Sequence, residues 1–142
     1  MPTRNASAVW EGGLKTGKGS YKGESGMLDG AYSRGSRFES EPGSNPEELL
    51  AAAEAACFSM ALSGALEKNG TPAAKIETAA ACTIEAVEGG FGITTMKLDV
   101  SASVPGINDA KFQEIAAKTK DGCPVSKVFK GNLDLQMTAK LV

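Results

Sequence analysis

Histidine is absent from this chain of 142 residues. That absence removes Ser-His-Asp and Cys-His catalytic arrangements, histidine metal ligation and histidine pH switching together. Any catalysis must run on Cys, Glu, Asp, Lys or Arg. An excess of positive charge is missing too. Fifteen basic against seventeen acidic residues leave a formal charge of −2, and no run of Lys or Arg is dense enough to track a phosphate backbone, so nucleic acid is not an expected partner. The N-terminal stretch MPTRNASAVWEGG has no apolar run followed by a small-residue cleavage site, so the expectation is a cytoplasmic protein without a secretory leader. Three cysteines, an odd number set far apart, suit a reduced compartment better than a disulfide framework.

What is present suits a soluble globular protein. The chain is 42% hydrophobic and 23% charged, outside the range of disorder, and its length fits one domain over residues 1–142. The first third is polar and rich in glycine, with apolar stretches as short as Ala8 to Trp10, and reads as short strands and loops. The run GKGSYKG from Gly17 lacks the glycine spacing of a nucleotide loop, and no helical pattern follows it.

At Ser44 the pattern changes. SNPEELLAAAEAACFSMALSGALEKNG has a Ser or Asn cap, Pro46 in the first turn, Glu47 and Glu48 at the positive helix end, and Asn69-Gly70 as a stop. One long helix is predicted. From Leu49 to Leu66 it carries a single charge, Glu54, but its Ala, Ser and Gly content favours a core helix over a membrane span. After Pro72 the period becomes two. Ile76, Thr78, Ala80, Cys82, Ile84 and Ala86 share one strand face, EGGFG turns the chain, and Thr94, Met96, Leu98, Val100, Ala102 and Val104 repeat the alternation in an antiparallel hairpin. Asn108 or Asp109 caps a second helix with the stripe Phe112, Ile115, Ala116 and Thr119, and Gly122 ends it. Pro124 suits the first turn of a short further helix ending near Gly131, with Cys123 at its N-cap. Leu133, Leu135, Met137, Ala139 and Leu141 form a last strand face. The order β-β-α-β-β-α-α-β predicts an α+β domain with antiparallel sheets packed on helices.

The three cysteines differ in setting. Cys82, between Ala80 and Ile84 on an apolar strand face, reads as a small hydrophobe. Cys57 lies on a helical stripe with Leu50, Ala53, Met60, Ala61 and Gly64, where a core cysteine is the ordinary reading. Cys123 stands apart, because an N-cap presents backbone N–H groups and the positive end of a helix dipole to the sulfur. Ser, Thr, Asp and Asn cap better than Cys, so a plain capping role is the weaker account.

A thiolate attacking a peroxide needs a positive neighbour, since an ordinary thiol is little ionised near neutrality and O–O cleavage sheds an alkoxide. Arg34 and Arg37, in YSRGSRFESE, are candidates that a loop entering the long helix could deliver, with Glu47 or Glu48 to hold the guanidinium. Glu47 and Cys57 are ten residues apart on one helix, about 15 Å along its axis. If both belong to the chemistry, the Glu beside a given Cys57 comes from a second subunit, which predicts a dimer.

SRFESEPGSNPEELLAAAEAACFSMAL from Ser36 to Leu62 and GCPVSKV from Gly122 to Val128, with VWEG near the start and VPGI at Val104, make the chain resemble the OsmC/Ohr family, on the osmotically inducible protein C side. The resemblance covers nearly the whole chain. It implies a cysteine-based peroxidase acting on organic hydroperoxides, and less well on hydrogen peroxide, folded as an intertwined homodimer with sites at the subunit interface. It implies no metal or bound cofactor. Carried onto this sequence, Cys57 matches the family's peroxidatic cysteine, Cys123 the resolving one, Arg37 the arginine that orients and activates the thiolate, and Glu47 its partner. An arginine close before the long helix favours the OsmC branch. The resemblance also implies a dithiol reductant such as a lipoylated protein. Two other readings stand beside it. A thiol redox sensor lacks a DNA-reading motif here, and a Cys-dependent acyl transferase lacks a histidine base.

Overall fold

Short alternating segments separated by glycines give three strands at the start of the chain: β1 (Ala6–Glu11), β2 (Lys18–Gly23) and β3 (Asp29–Tyr32). They form an antiparallel sheet in the order β1-β2-β3. The sequence predicts strands here, but not a third one, because DGAY is too short and too poor in β-branched residues to show a period. The computed structural model describes residues 1–142 and divides into two units, Met1–Leu49 and Leu50–Val142.

The segment expected as a loop before the long helix is itself a helix, α1 (Arg34–Phe38). A capping box sets it. The Ser36 N–H donates to Ser33 Oγ at 3.0 Å and the Ser33 N–H donates to Ser36 Oγ at 2.8 Å, so two orphan donors of the first turn are satisfied reciprocally. Ser36 Oγ also donates to the Ser44 carbonyl at 2.7 Å, and Asn45 Nδ2 donates to the Ser36 carbonyl at 3.1 Å. These bonds tie α1 to the start of α2 (Pro46–Lys68). Asn45 is the α2 cap, accepting from the Glu48 N–H at 2.8 Å, and Pro46 occupies the first turn as expected. Gly70, at φ +81°, lies just past the end of α2, a conformation that favours glycine.

In the second unit β4 (Lys75–Val87) and β5 (Gly90–Ser103) form the predicted antiparallel hairpin. A register shift at Thr83/Ile84 sets Ile84 opposite Ile93, while Cys82 stays opposite Met96. α3 (Asp109–Gly122) is capped by Asn108, which accepts from the Lys111 N–H at 2.8 Å. α4 (Pro124–Phe129) follows, and then β6 (Asp134–Leu141). The last strand departs from a wholly antiparallel arrangement by pairing in parallel with β5. The chain reaches it through two helices, and such a crossover brings a strand back in the same direction.

Within this unit Phe58, Leu62 and Leu66 of α2 meet Leu98, Val100 and Ala102 of β5 and Phe112, Ile115 and Ala116 of α3 in one core. All four residues of the predicted α3 stripe are buried. On α2 the stripe is shifted from the expected one. Glu54, Phe58, Leu62 and Leu66, spaced by four, are fully buried, whereas Met60 is 76% exposed. A run of alanines gives no contrast between faces, so helical periodicity alone could not locate the inward side. α2 is long and apolar enough, by length and composition, to cross a membrane.

Candidate functional site

Two groupings of the sequence-selected residues emerge, one in each unit. In the first, Arg37 and Glu47 form a forked ion pair. Arg37 Nη2 donates to Glu47 Oε1 at 2.7 Å, and Nε donates to Oε1 at 3.1 Å and Oε2 at 3.3 Å. A planar guanidinium meeting a carboxylate this way is held in orientation as well as place. Glu47 is buried while a third of the Arg37 side chain is exposed, so the carboxylate serves as the fixed base and the guanidinium as its presented face. Of the pairings the sequence left open, this unit forms Arg37 with Glu47. Arg34 pairs with Glu39 at 2.6 Å, and Glu48 accepts from Ser44 Oγ at 2.8 Å. Arg37 also lines an aromatic pocket with Trp10, Leu14, Tyr32 and Phe38. Its guanidinium carbon lies 5.3 Å from the Phe38 ring centre.

In the second unit the sulfurs of Cys57 and Cys123 are 3.1 Å apart in an S–H···S contact, both as thiols. Cys57 is half-buried on α2 beside the core stripe, and Cys123 is 1% exposed. Cys123 sits at the predicted N-cap of α4 but makes no side-chain capping bond. The backbone N–H of Val125, in that same first turn, hydrogen-bonds to the Cys57 sulfur instead. One amide of the turn expected to serve Cys123 therefore favours the charged form of Cys57. Burial pushes the Cys57 thiol up, with further upward push from the hydrogen bond to Cys123 and the charges of Cys123 and Glu54, while the Val125 amide opposes them.

Glu54 escaped the sequence reading as a site residue. Its carboxyl is fully buried one turn before Cys57, and Ser126 Oγ donates to its Oε1 at 2.5 Å. Its Oε2 has no hydrogen-bond partner. Burial pushes the carboxyl up, with the Ser126 bond opposing. The signal was legible as the single charge between Leu49 and Leu66. A cleft of about 600 Å³ reaches Cys123 between Ala61, Ala65 and Ile115, with Lys68, Lys111 and Lys118 on its walls. Cys82 lies on β4 opposite Met96, half-buried.

Two thiols 3.1 Å apart can pass between dithiol and disulfide. Comparisons with known proteins point the same way. Residues 38–138 match the family model described as "OsmC-like protein". The chain is 45% identical over 138 residues to peroxiredoxin OsmC of Escherichia coli, covering 96% of each protein. It is 35% identical over 98 residues to an organic hydroperoxide resistance protein of Xanthomonas axonopodis pv. citri, 68% of this chain and 66% of that protein. Among solved structures, an organic hydroperoxide resistance protein from Elizabethkingia anophelis superposes with a TM-score of 0.78 at 27% identity, covering 100% of this chain and 98% of that one. OhrB of Bacillus subtilis superposes with a TM-score of 0.75 at 27% identity, covering 95% and 97%.

Proposed function

We propose, since the chain belongs to the OsmC-like protein family, that it is a thiol-dependent peroxidase reducing organic hydroperoxides to alcohols, and hydrogen peroxide less well, as a single OsmC-like domain over residues 1–142. The observation that carries the reading is the Cys57–Cys123 pair, 3.1 Å apart in a chain without histidine. Cys57 as thiolate attacks the distal peroxide oxygen, the O–O bond breaks, and the alkoxide leaves as alcohol after taking a proton. Cys57 becomes a sulfenic acid. Cys123 then condenses with it, forming the disulfide and releasing water. An external dithiol such as a lipoylated protein returns both sulfurs to thiols.

Burial favours the Cys57 thiol over the thiolate, so a cation has to offset it. Arg37, oriented by Glu47, is the group suited to that work, and the aromatic pocket beside it fits an organic substituent better than a bare peroxide. Because Glu47 and Cys57 stand about 15 Å apart along α2, each working site takes Arg37 and Glu47 from one subunit and the two cysteines from another. The homodimer this requires would cover the apolar face of α2 on which Met60 is exposed. A soluble, cytoplasmic protein in oxidative and osmotic stress defence is the setting that suits it.

The deciding experiment is steady-state consumption of an alkyl hydroperoxide and of hydrogen peroxide with monothiol and dithiol reductants. The expected outcome is turnover with the dithiol, faster on the alkyl hydroperoxide. A single round of disulfide formation without turnover in excess dithiol would overturn it in favour of a redox sensor.

A further inference from the structure

A carboxyl on the buried stripe of α2 calls for a reason. Leu or Phe would continue the stripe of Phe58, Leu62 and Leu66, whereas burying a carboxylate costs several kcal/mol unless it is well partnered. The partner is on the turn that carries Cys123. Residues 123–126 form the first turn of α4, and three of them reach two positions of α2 one turn apart. Cys123 Sγ contacts Cys57 Sγ, the Val125 N–H bonds to the Cys57 sulfur, and Ser126 Oγ bonds to Glu54 Oε1 at 2.5 Å. Two of these contacts involve a sulfur that changes during oxidation. The Ser126–Glu54 bond does not, so it remains as a hydrogen bond between this turn and α2 after Cys57 has been oxidised.

We propose that Glu54, through its hydrogen bond to Ser126, is a positioning residue that keeps the Cys123 turn against Cys57 so that the sulfenic acid is resolved rather than over-oxidised. This rests on the peroxidase reading above. The sulfenic acid has two competing fates. With Cys123 it condenses, Cys57–SOH plus Cys123–SH giving the disulfide and water. With a second hydroperoxide it is oxidised, Cys57–SOH plus ROOH giving the sulfinic acid and ROH. The first is unimolecular and depends on how the sulfurs are held; the second depends on hydroperoxide concentration. Burial pushes the Glu54 carboxyl up, and its charged form pushes the Cys57 thiol up in turn. A neutral isostere keeps the acceptor for Ser126 and removes that charge.

The test uses the reduced full-length protein and cumene hydroperoxide without reductant, following thiol loss, sulfenic acid trapping and intact mass over time. Glu54→Ala and Ser126→Ala are expected to form the disulfide about five- to tenfold more slowly, the loss matching one hydrogen bond of about 1–1.4 kcal/mol. Their share of sulfinic acid should rise with hydroperoxide concentration, and Glu54→Gln should restore disulfide formation. Disulfide formation at the wild-type rate in Ser126→Ala, or a Glu54→Gln variant as slow as Glu54→Ala, would overturn the proposal. Ser126→Ala removes one oxygen and carries the test alone if Glu54→Ala does not fold. Failure of the peroxidase reading looks different: the wild-type protein then loses no thiol to hydroperoxide at all.

Discussion

Val125 donates its backbone N–H to Cys57, not to the cysteine two residues before it. The first turn of α4 therefore stabilises negative charge on the sulfur of another helix, and its own cap residue, Cys123, is left to meet that sulfur at 3.1 Å. The two thiols, which already differ in their sequence settings, differ in their contacts as well.

The cysteines should separate cleanly by substitution. Cys57→Ser is expected to reduce hydroperoxide consumption to the uncatalysed background, and Cys82→Ser to leave it at the wild-type rate. Cys123→Ser should consume one equivalent of hydroperoxide per chain in reaching the Cys57 sulfenic acid and a second in reaching the sulfinic acid, seen as a mass gain of two oxygens. An active Cys57→Ser protein would sink the assignment.

The Arg37–Glu47 fork has a structural consequence of its own. Arg37→Ala strips the partner from a buried carboxylate and is expected to cost about 1–3 kcal/mol in denaturant unfolding. Arg37→Lys keeps the charge but not the fork. It should retain more of that stability while still losing peroxidase rate, and full activity in Arg37→Lys would remove the need for a planar guanidinium.

Glu54 makes stability fall as pH rises. Its folded carboxyl is pushed above the unfolded value, so between the two the folded state binds more protons than the unfolded one. Stability then decreases through that window. Below the unfolded carboxylate range the penalty is absent, and above the raised folded value it is complete. Glu54→Gln carries no titrating group, so its stability should pull ahead of wild type from the ordinary carboxylate range upward. Parallel stability curves for the two proteins across that range would contradict this.

Met60 and Leu62 should report on different surfaces of α2. Leu62 is fully buried and Met60 is 76% exposed on the single chain. Leu62→Ala is expected to cost about 2–5 kcal/mol. Met60→Asp should leave the chain folded and shift the sedimenting species from dimer to monomer if a second copy covers that face. A dimer that tolerates the charge would place the interface elsewhere.

Much of the fold was legible because it rests on local rules. Asn45 and Asn108 cap where side-chain oxygen meets an orphan N–H, Phe112, Ile115, Ala116 and Thr119 keep helical spacing, and Met96, Leu98, Val100 and Ala102 keep strand spacing. α1 was not, because its capping box uses two serines in a stretch that reads as loop, and its five residues are too few to show a helical period. The parallel pairing of β6 with β5 escaped as well, since alternation fixes a strand's faces and says nothing of its neighbour's direction.

Histidine's absence, the capped helices, the strand faces and the motifs around Cys57 and Cys123 were determined by the order of residues alone, because each depends on chemistry within a few positions of chain. Which face of α2 turns inward, which glutamate holds Arg37, and which sulfur receives the Val125 amide were decided only by tertiary structure. Those choices depend on what lies across the gap. Glu54 shows the difference most plainly: in sequence it is one charge in an alanine-rich helix, and in the fold it is the buried acceptor of Ser126, seventy-two residues away.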